Sequence, residues 1–408
     1  REPQVSESQP AKQYYFVSAG EPSGDLLAAD LVEAIGEAYP ELIPVGIVGP
    51  RMREIGVTEL ARIEDLTVMG FVEVIKHLVP IQQLEDQVIA QLFRLEQPPL
   101  FAVLTDYPGF HMHLAERLKL EGIPVVQYVA PQLWAWGANR TKRLKKVTDL
   151  VLGIMPFEVE FFQNRGVDCR YIGTPQVDRV KKVAGNPLCF ADGATGVFIG
   201  LFPGSRPGEL RRILPHMLAV AQHIIEADQS RSIAVSIAPS IRREWLDHLL
   251  KELGYEIDIS SSCQEAIVAE GIRLVFGNSM NLMERVDAAL VTSGTATLEC
   301  GLTLTPMAVM YVASPITYFI AKRLVKLDRI SLVNLVAGKT IINEYVQEFD
   351  VEEIAQHLIE LSRHSDRRAS VLTELDKLGS VLKGSPGKNA AQSILTEFYS
   401  PKPVSHRQ

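Results

Sequence analysis

From Tyr14 onward the chain alternates short apolar runs with amphipathic stretches, and it does so in two successive series. Alternation of this kind implies parallel sheets covered by helices. The first series reads as strands at residues 14–19, 45–48, 102–105, 124–129 and 150–154. Helical patterns lie between them: up to about Ala38, from Asp65 to about Leu95, and at 112–120, 139–146 and 158–165. This series closes around residues 173–178. Gly185-Asn-Pro187 and Asp192-Gly193 then supply the turn chemistry of a linker. The second series opens at 197–202 and continues at 232–238, 273–276, 288–291 and 307–312. Gly384-Ser-Pro-Gly387 reads as a flexible joint before a last helix at 390–398. The expected organisation is therefore a loose tail (1–13), a first Rossmann-like domain (14–180), a linker (181–196), a second Rossmann-like domain (197–383), and a joint with a C-terminal helix (384–408).

A chain of 408 residues can bury such cores without disulfides or metals. Its four cysteines, Cys169, Cys189, Cys263 and Cys300, form no C-x-x-C pair, which argues against a zinc site and suits a reducing, cytoplasmic setting. Acidic residues (49) outnumber basic ones (41), so the overall field repels nucleic-acid phosphate and anionic lipid, and contact with either needs a local patch. Residues 1–13 are polar and lack the apolar region of a secretory signal. The uncharged stretch from Cys300 is interrupted by Gly301, Pro306 and Pro315, and reads as a buried strand followed by a turn rather than a membrane span.

In doubly wound sheets ligands bind at the carboxyl ends of strands, so loops directly after strands hold the candidate chemistry. Gly20-Glu21-Pro22-Ser23-Gly24-Asp25 follows the first strand. Its glycine and exposed N–H groups suit an anionic group or a sugar hydroxyl, while Ser23 and Asp25 equally suit helix capping. Thr105-Asp106-Tyr107-Pro108-Gly109 follows another strand, where Asp106 reads either as a general base or as a turn residue. Trp134 and Trp136 precede Arg140, Lys142, Arg143, Lys145 and Lys146, a patch open to an RNA, a membrane or a purely solvated reading.

In the second series, Pro203-Gly204-Ser205-Arg206 enters a helix and suits a diphosphate through backbone N–H groups and one guanidinium. Ser293-Gly294-Thr295-Ala296-Thr297 enters another helix, small enough for phosphate to approach its N-terminus. Glu299 is placed to accept from vicinal ribose hydroxyls or merely to favour the helix dipole. Ala337-Gly338-Lys339-Thr340 ends like a Walker A loop, but Val333 stands where its first glycine belongs. No D-x-D or H-E-x-x-H occurs, and His111 and His113 read as core or surface residues, so neither a metal nor any other cofactor is expected.

Taken together, these motifs resemble the lipid-A-disaccharide synthase family of inverting glycosyltransferases, from Tyr14 to about Phe398. The similarity is carried by Gly20-Glu-Pro-Ser-Gly-Asp25, Val48-Gly-Pro-Arg-Met52, Trp134-Ala-Trp136, Met155-Pro-Phe-Glu158, Pro203-Gly-Ser-Arg206, Ser293-Gly-Thr-Ala-Thr-Leu-Glu299, Ser314-Pro-Ile-Thr-Tyr318 and Asn334-Leu-Val-Ala-Gly338. It is carried as well by Val68-Met-Gly-Phe-Val-Glu-Val74, within which Met69-Gly-Phe-Val-Glu-Val74 is the most diagnostic segment.

The resemblance implies a GT-B fold: α/β, two Rossmann-like doubly wound domains facing a cleft, with the C-terminal helix returning to the first. It also implies transfer of diacylglucosamine from UDP-2,3-diacylglucosamine to 2,3-diacylglucosamine 1-phosphate, giving a β-1,6-linked disaccharide 1-phosphate and UDP. Asp106 is the expected base. Ser205, Arg206, Ser293, Gly294, Thr295, Ala296, Thr297 and Glu299 are expected at the UDP-bearing donor, and Glu21, Ser23, Gly24, Asp25 and Asn334 at the acceptor or sugars. Val68, Met69, Phe71, Val72 and Ile75 are expected as an apolar route for the acyl chains. The expected location is cytoplasmic, peripheral on the inner membrane face, with a homodimer compatible with the joint at 384–387 and no nucleic-acid partner. Family members often carry His at Thr174, Asp at Gly109 and Arg at Gly137, so roles tied to those side chains do not transfer. The competing reading is another UDP-N-acetylglucosamine enzyme of this fold, an undecaprenyl-linked transferase or a 2-epimerase.

Overall fold

A computed structural model describes residues 12–67, 78–255, 264–313 and 329–399, and every structural statement concerns these. The chain divides into two units, residues 1–174 with 385–408, and residues 175–384. In the first, β1 (Gln13–Ala19), β2 (Leu42–Val48), β3 (Thr58–Arg62), β4 (Ala102–Thr105), β5 (Val125–Tyr128), β6 (Leu150–Gly153) and β7 (Cys169–Tyr171) form one parallel sheet in the order β3-β2-β1-β4-β5-β6-β7. All residues of β4, β5 and β6 are buried, as expected for strands covered on both faces. Chain order reverses between β1 and β4, the place where a doubly wound sheet opens for ligand. From that point rise α1 (Pro22–Ala38) and, after α2 (Pro50–Glu54), α3 (Ile63–Thr67) and α4 (Leu78–Leu92), the helix α5 (Pro108–Leu120). Pro22 and Pro108 each sit in the first turn of their helix, where the missing N–H costs nothing.

The second unit repeats the plan. β8 (Val197–Phe202), β9 (Arg231–Ile237), β10 (Glu265–Ala269), β11 (Ile272–Phe276), β12 (Ala288–Thr292), β13 (Met307–Tyr311) and β14 (Glu344–Val346) pair in the order β10-β11-β9-β8-β12-β13-β14. All pairings are parallel except β10 with β11. Its reversal falls between β8 and β12. Both Rossmann-like sheets expected from the sequence are thus present.

Two boundaries differ from the sequence reading. The first unit ends at Thr174, so the helix Pro175–Val183 belongs to the second. Residues 181–196, expected as a linker, are tied down. Gly185 and Asn186 N–H groups donate to Glu284, Leu188 N–H donates to Asn281 O, and Asp192 pairs with Arg273. Phe190 also stacks against Phe198 at 4.4 Å. Turn residues set the chain direction here, and these contacts remove the freedom a linker would have. The acyl-patch residues Val68, Met69, Phe71, Val72 and Ile75, and the segment from Ser314 to Tyr318, lie outside the described residues. Among the described residues no helix is long and apolar enough to cross a membrane.

The last helix, Pro386–Phe398, packs on α1 as part of the first unit. Gly387 lies against the backbone of Asp30, where any side chain would crowd it. Ala390 and Ile394 are fully buried in the first unit's core. Ile394→Ala is therefore expected to destabilise the protein by about 2–4 kcal/mol in urea unfolding, the usual cost of a buried truncation. A loss below about 1 kcal/mol would show that this helix is not core.

Candidate functional site

At the reversal in the first sheet, the loops after β1 and β4 meet. Any side chain at Gly20 would collide with the ring of Tyr107, so the glycine is required for the loops to touch. Glu21, Pro22 and Ser23 are exposed and Gly24 is buried. The Tyr107 phenol is pushed up by burial and by the charge of Glu21, which places that carboxylate in the same locale. Asp25 behaves differently. It is 2% exposed, and its carboxylate accepts the N–H groups of Gly49 (3.0 Å), Arg51 (2.8 Å) and Met52 (3.2 Å). It caps α2 from a distance and offers no free oxygen to a sugar.

Asp106 leaves β4 with a left-handed backbone, φ 52°, and Tyr107 follows at φ 46°. Its side chain is half-buried. Burial pushes the carboxyl above its ordinary value, partly offset by a hydrogen bond from the Tyr107 backbone. A carboxylate raised in this way is a stronger base than one in water. Sequence reasoning gave Tyr107 no role of its own and read His111 as core or surface, of which the core reading holds, since the ring is fully buried; two successive left-handed non-glycine residues are visible only in the backbone.

In the second unit the neighbouring strands β8 and β12 end together, with Phe202 opposite Val291. The loops 203–206 and 293–297 therefore start side by side. Gly204, at φ 103°, lies over the Glu209 carboxylate and has no room for a Cβ. Glu209 takes backbone hydrogen bonds from Ser205 and Arg206, the two residues that lead into the helix Pro207–Ala227, while burial pushes its carboxyl up. The Ser205 and Arg206 side chains remain exposed. On the other loop, Ser293 Oγ donates to Ile330 O (3.1 Å), Gly294 adopts φ 140°, and Thr297 Oγ1 donates to Gly294 O (2.8 Å). Thr295 is exposed and Ala296 half-buried at the start of the helix Thr295–Leu302.

Glu299 is buried, and burial raises its carboxyl despite Arg179, whose Nη1 stands 2.9 Å from Oε1. That pair is a charge contact rather than an aligned hydrogen bond. Asn334 departs from the reading as a sugar contact. It is fully buried, donating to Ile342 O and Glu344 Oε1 and accepting from the N–H groups of Ile341 and Ile342. Gly338 caps the end of its helix, Leu332–Ala337, so the Walker-like Lys339-Thr340 follows a helix C-terminus, opposite to what that motif needs. Among the described residues no cluster of three or more His, Cys, Asp or Glu is placed to hold a metal ion.

The basic residues Arg140, Lys142, Arg143, Lys145 and Lys146 are exposed on and beside the helix Thr141–Val147, with Arg143 paired to Glu116. Nearby, Trp134 Nε1 donates to Glu158 Oε1 (3.4 Å), and its ring meets Phe157 edge-on. Glu158 Oε2 accepts from Ile154 and Met155 (both 3.0 Å). Of the positions where the resemblance implies other side chains, Thr174 is buried and donates to Ile154 O, whereas Gly109 has open space around it.

Two doubly wound sheets, each opening at its reversal, define a protein of the GT-B type. Solved structures agree on the fold: a glycotransferase of kitacinnamycin (TM-score 0.59, 13% identity, covering 95% of this chain and 100% of that one) and the UDP-GlcNAc 2-epimerase of Neisseria meningitidis bound to UDP-GlcNAc (0.55, 11%, 94% and 98%). The chain belongs to the Lipid-A-disaccharide synthetase family, whose family model matches residues 15–385. It is similar to the lipid-A-disaccharide synthases of Anaeromyxobacter dehalogenans (36% identity over 91% of this chain and 94% of that one), Trichlorobacter lovleyi (36%, 86% and 88%) and Pectobacterium carotovorum (33%, 94% and 97%). The family's activity, glycosyl transfer forming the lipid A disaccharide, is the activity of this chain.

Burial pushes the Glu158 carboxyl from 4.5 up to about 7. Folding therefore favours its protonated form, and its contribution is fully present below pH 4.5 and lost as the pH rises to about 7. Glu158→Gln, which cannot ionise, is expected to gain stability relative to the parent across that window, by as much as about 3 kcal/mol. Urea midpoints at several pH values test this; a difference constant with pH would refute it.

Proposed function

We propose that the donor is UDP-2,3-diacylglucosamine and the acceptor 2,3-diacylglucosamine 1-phosphate, joined with inversion into a β-1,6-linked disaccharide 1-phosphate with release of UDP. Inversion needs one in-line displacement. A base takes the proton of the acceptor 6-hydroxyl as its oxygen attacks the anomeric carbon, and the bond to the diphosphate breaks. Asp106 is the base: it follows a strand at the reversal of its sheet, and its carboxyl is raised by burial. Glu21 and Ser23, exposed in the adjoining loop, are the acceptor-side contacts.

The leaving diphosphate is met by the Arg206 guanidinium, the Ser205 hydroxyl and the start of the helix Thr295–Leu302. The observation that carries this is the pairing of β8 with β12, which brings both loops to one edge. Glu299 accepts the ribose hydroxyls once Arg179 yields its place. Charge on the diphosphate is neutralised by the guanidinium and backbone amides, so no metal is required. The exposed basic face around Lys142, Lys145 and Lys146 attracts anionic headgroups and holds the enzyme peripherally on the cytoplasmic leaflet, where its acylated substrates reside.

With both acylated substrates, mass spectrometry of the product should show the disaccharide 1-phosphate, undiminished by EDTA. Asp106→Asn and Arg206→Ala should each lower turnover by about 10²–10⁴-fold with the fold intact. Asparagine tolerates the left-handed backbone at 106, so a loss there reports chemistry rather than unfolding. Parent-like turnover by either variant, or turnover of UDP-N-acetylglucosamine alone, overturns the reading.

A further inference from the structure

Three non-glycine residues at the ends of β4 and β5 hold left-handed backbones: Asp106 (φ 52°), Tyr107 (φ 46°) and the β-branched Val129 (φ 67°). Each such residue costs about 1–3 kcal/mol and persists only where its surroundings over-determine it. The surroundings here can be named. Asp106 N–H donates to Tyr128 O (2.9 Å). On the other side of the residue, Asp106 O lies 2.6 Å from His111 Nδ1. His111 Nε2 in turn lies 2.8 Å from Ser18 Oγ, in β1. Gln127 Nε2 reaches both Val129 O (3.2 Å) and Asp106 O (3.4 Å).

A carbonyl only accepts, so His111 Nδ1 carries the hydrogen and Nε2 accepts from the Ser18 hydroxyl. The ring is fully buried, and desolvation holds it neutral, with its pKa down to about 4. Both backbone polar atoms of Asp106 are thus clamped, and only the torsions of its side chain stay free.

We infer that the Ser18–His111 pair is a positioning device for the reaction: through one fixed imidazole tautomer it holds the Asp106 carbonyl, and with it the direction in which the Asp106 carboxylate leaves the strand. His111 touches neither substrate nor reacting atoms; it acts through Asp106. The inference rests on the reading of Asp106 as the base.

Two near-isosteres separate the halves of the device. The amide nitrogen of Asn overlays Nδ1 of a histidine, and that of Gln overlays Nε2. His111→Asn keeps a donor to the Asp106 carbonyl and loses Ser18, whereas His111→Gln keeps Ser18 and loses the carbonyl. With the full chain and both acylated substrates, His111→Gln is expected to lower kcat about 10²-fold at unchanged KM, the effect of a base displaced by about 1 Å. His111→Asn should retain kcat within about threefold of the parent. Nitrogen NMR of the parent should show His111 protonated at Nδ1 and bare at Nε2 from pH 5 to 9. A merely structural role would lower melting temperature and kcat alike in both variants. Equal kcat losses in the two, parent-like kcat in His111→Gln, or a proton on Nε2 overturns the inference. If Asp106→Asn itself keeps turnover, the base assignment has failed; if it is inactive while His111→Gln is unaffected, only the positioning device has failed.

Discussion

A parallel sheet buried on both faces can present polar chemistry only where its strands stop. In this protein the constraint operates twice. The strand orders β3-β2-β1-β4 and β11-β9-β8-β12 each leave one place where adjacent strands send their following helices to opposite faces. Every strand-end loop that carries the proposed base or diphosphate contacts lies at one of those two places. The proposed roles fall to the units accordingly: a raised carboxylate in the first, a guanidinium and a small-residue helix start in the second.

Holding such loops open needs buried polar groups that never meet the substrate. Each unit supplies them from residue types that look catalytic. In the first, Asp25 spends its carboxylate on three N–H groups, of Gly49 just before α2 and of Arg51 and Met52 within it, and His111 spends both ring nitrogens on Ser18 and the Asp106 carbonyl. In the second, Glu344 accepts from Ile330 N–H, Ser331 N–H, Ser331 Oγ and Asn334. Ile330 then accepts from Ser293, so the Glu344 cluster supports the loop that leads into the helix Thr295–Leu302. Losing one member leaves its buried partners unsatisfied, at about 1–3 kcal/mol each. Asn334 can therefore matter greatly to turnover while touching no sugar.

This explains what the sequence could and could not disclose. Strand–helix alternation is a local signal, so both sheets and all four loops were legible from apolar runs and Gly/Ser/Asp turns. The short strands β3, β7, β10 and β14 escape the sequence reading because three to five residues at a sheet edge carry little periodicity. Asp25 and Asn334 stand in recognisable motifs, but nothing in a one-dimensional pattern tells whether a carboxylate or amide faces solvent or caps the next turn of chain. The stretch 181–196 shows the same limit: its turn residues were plain, yet Asp192 and Phe190 are fixed by Arg273 and Phe198, about 80 and 8 residues away in sequence.

The electrostatics of the second unit decide which part of the proposed diphosphate site dominates. A helix N-terminus offers roughly half a positive charge, worth about 0.3–1 kcal/mol to an exposed anion. Near that start lies Glu299, and below the other loop lies Glu209; any charge on either opposes a phosphate. Burial raises both carboxyls, which favours their neutral forms and softens the repulsion. Backbone bonds from Ser205 and Arg206 to Glu209 pull the other way and occupy donors that a phosphate would use. Within the two described loops, 203–206 and 293–297, the full positive charge is that of Arg206, exposed just before its helix. A guanidinium brings a whole charge and a planar fork of donors to two phosphate oxygens at once. On these magnitudes Arg206 governs leaving-group stabilisation in the proposed reaction, and the helix start of residues 295–297 orients what the guanidinium holds.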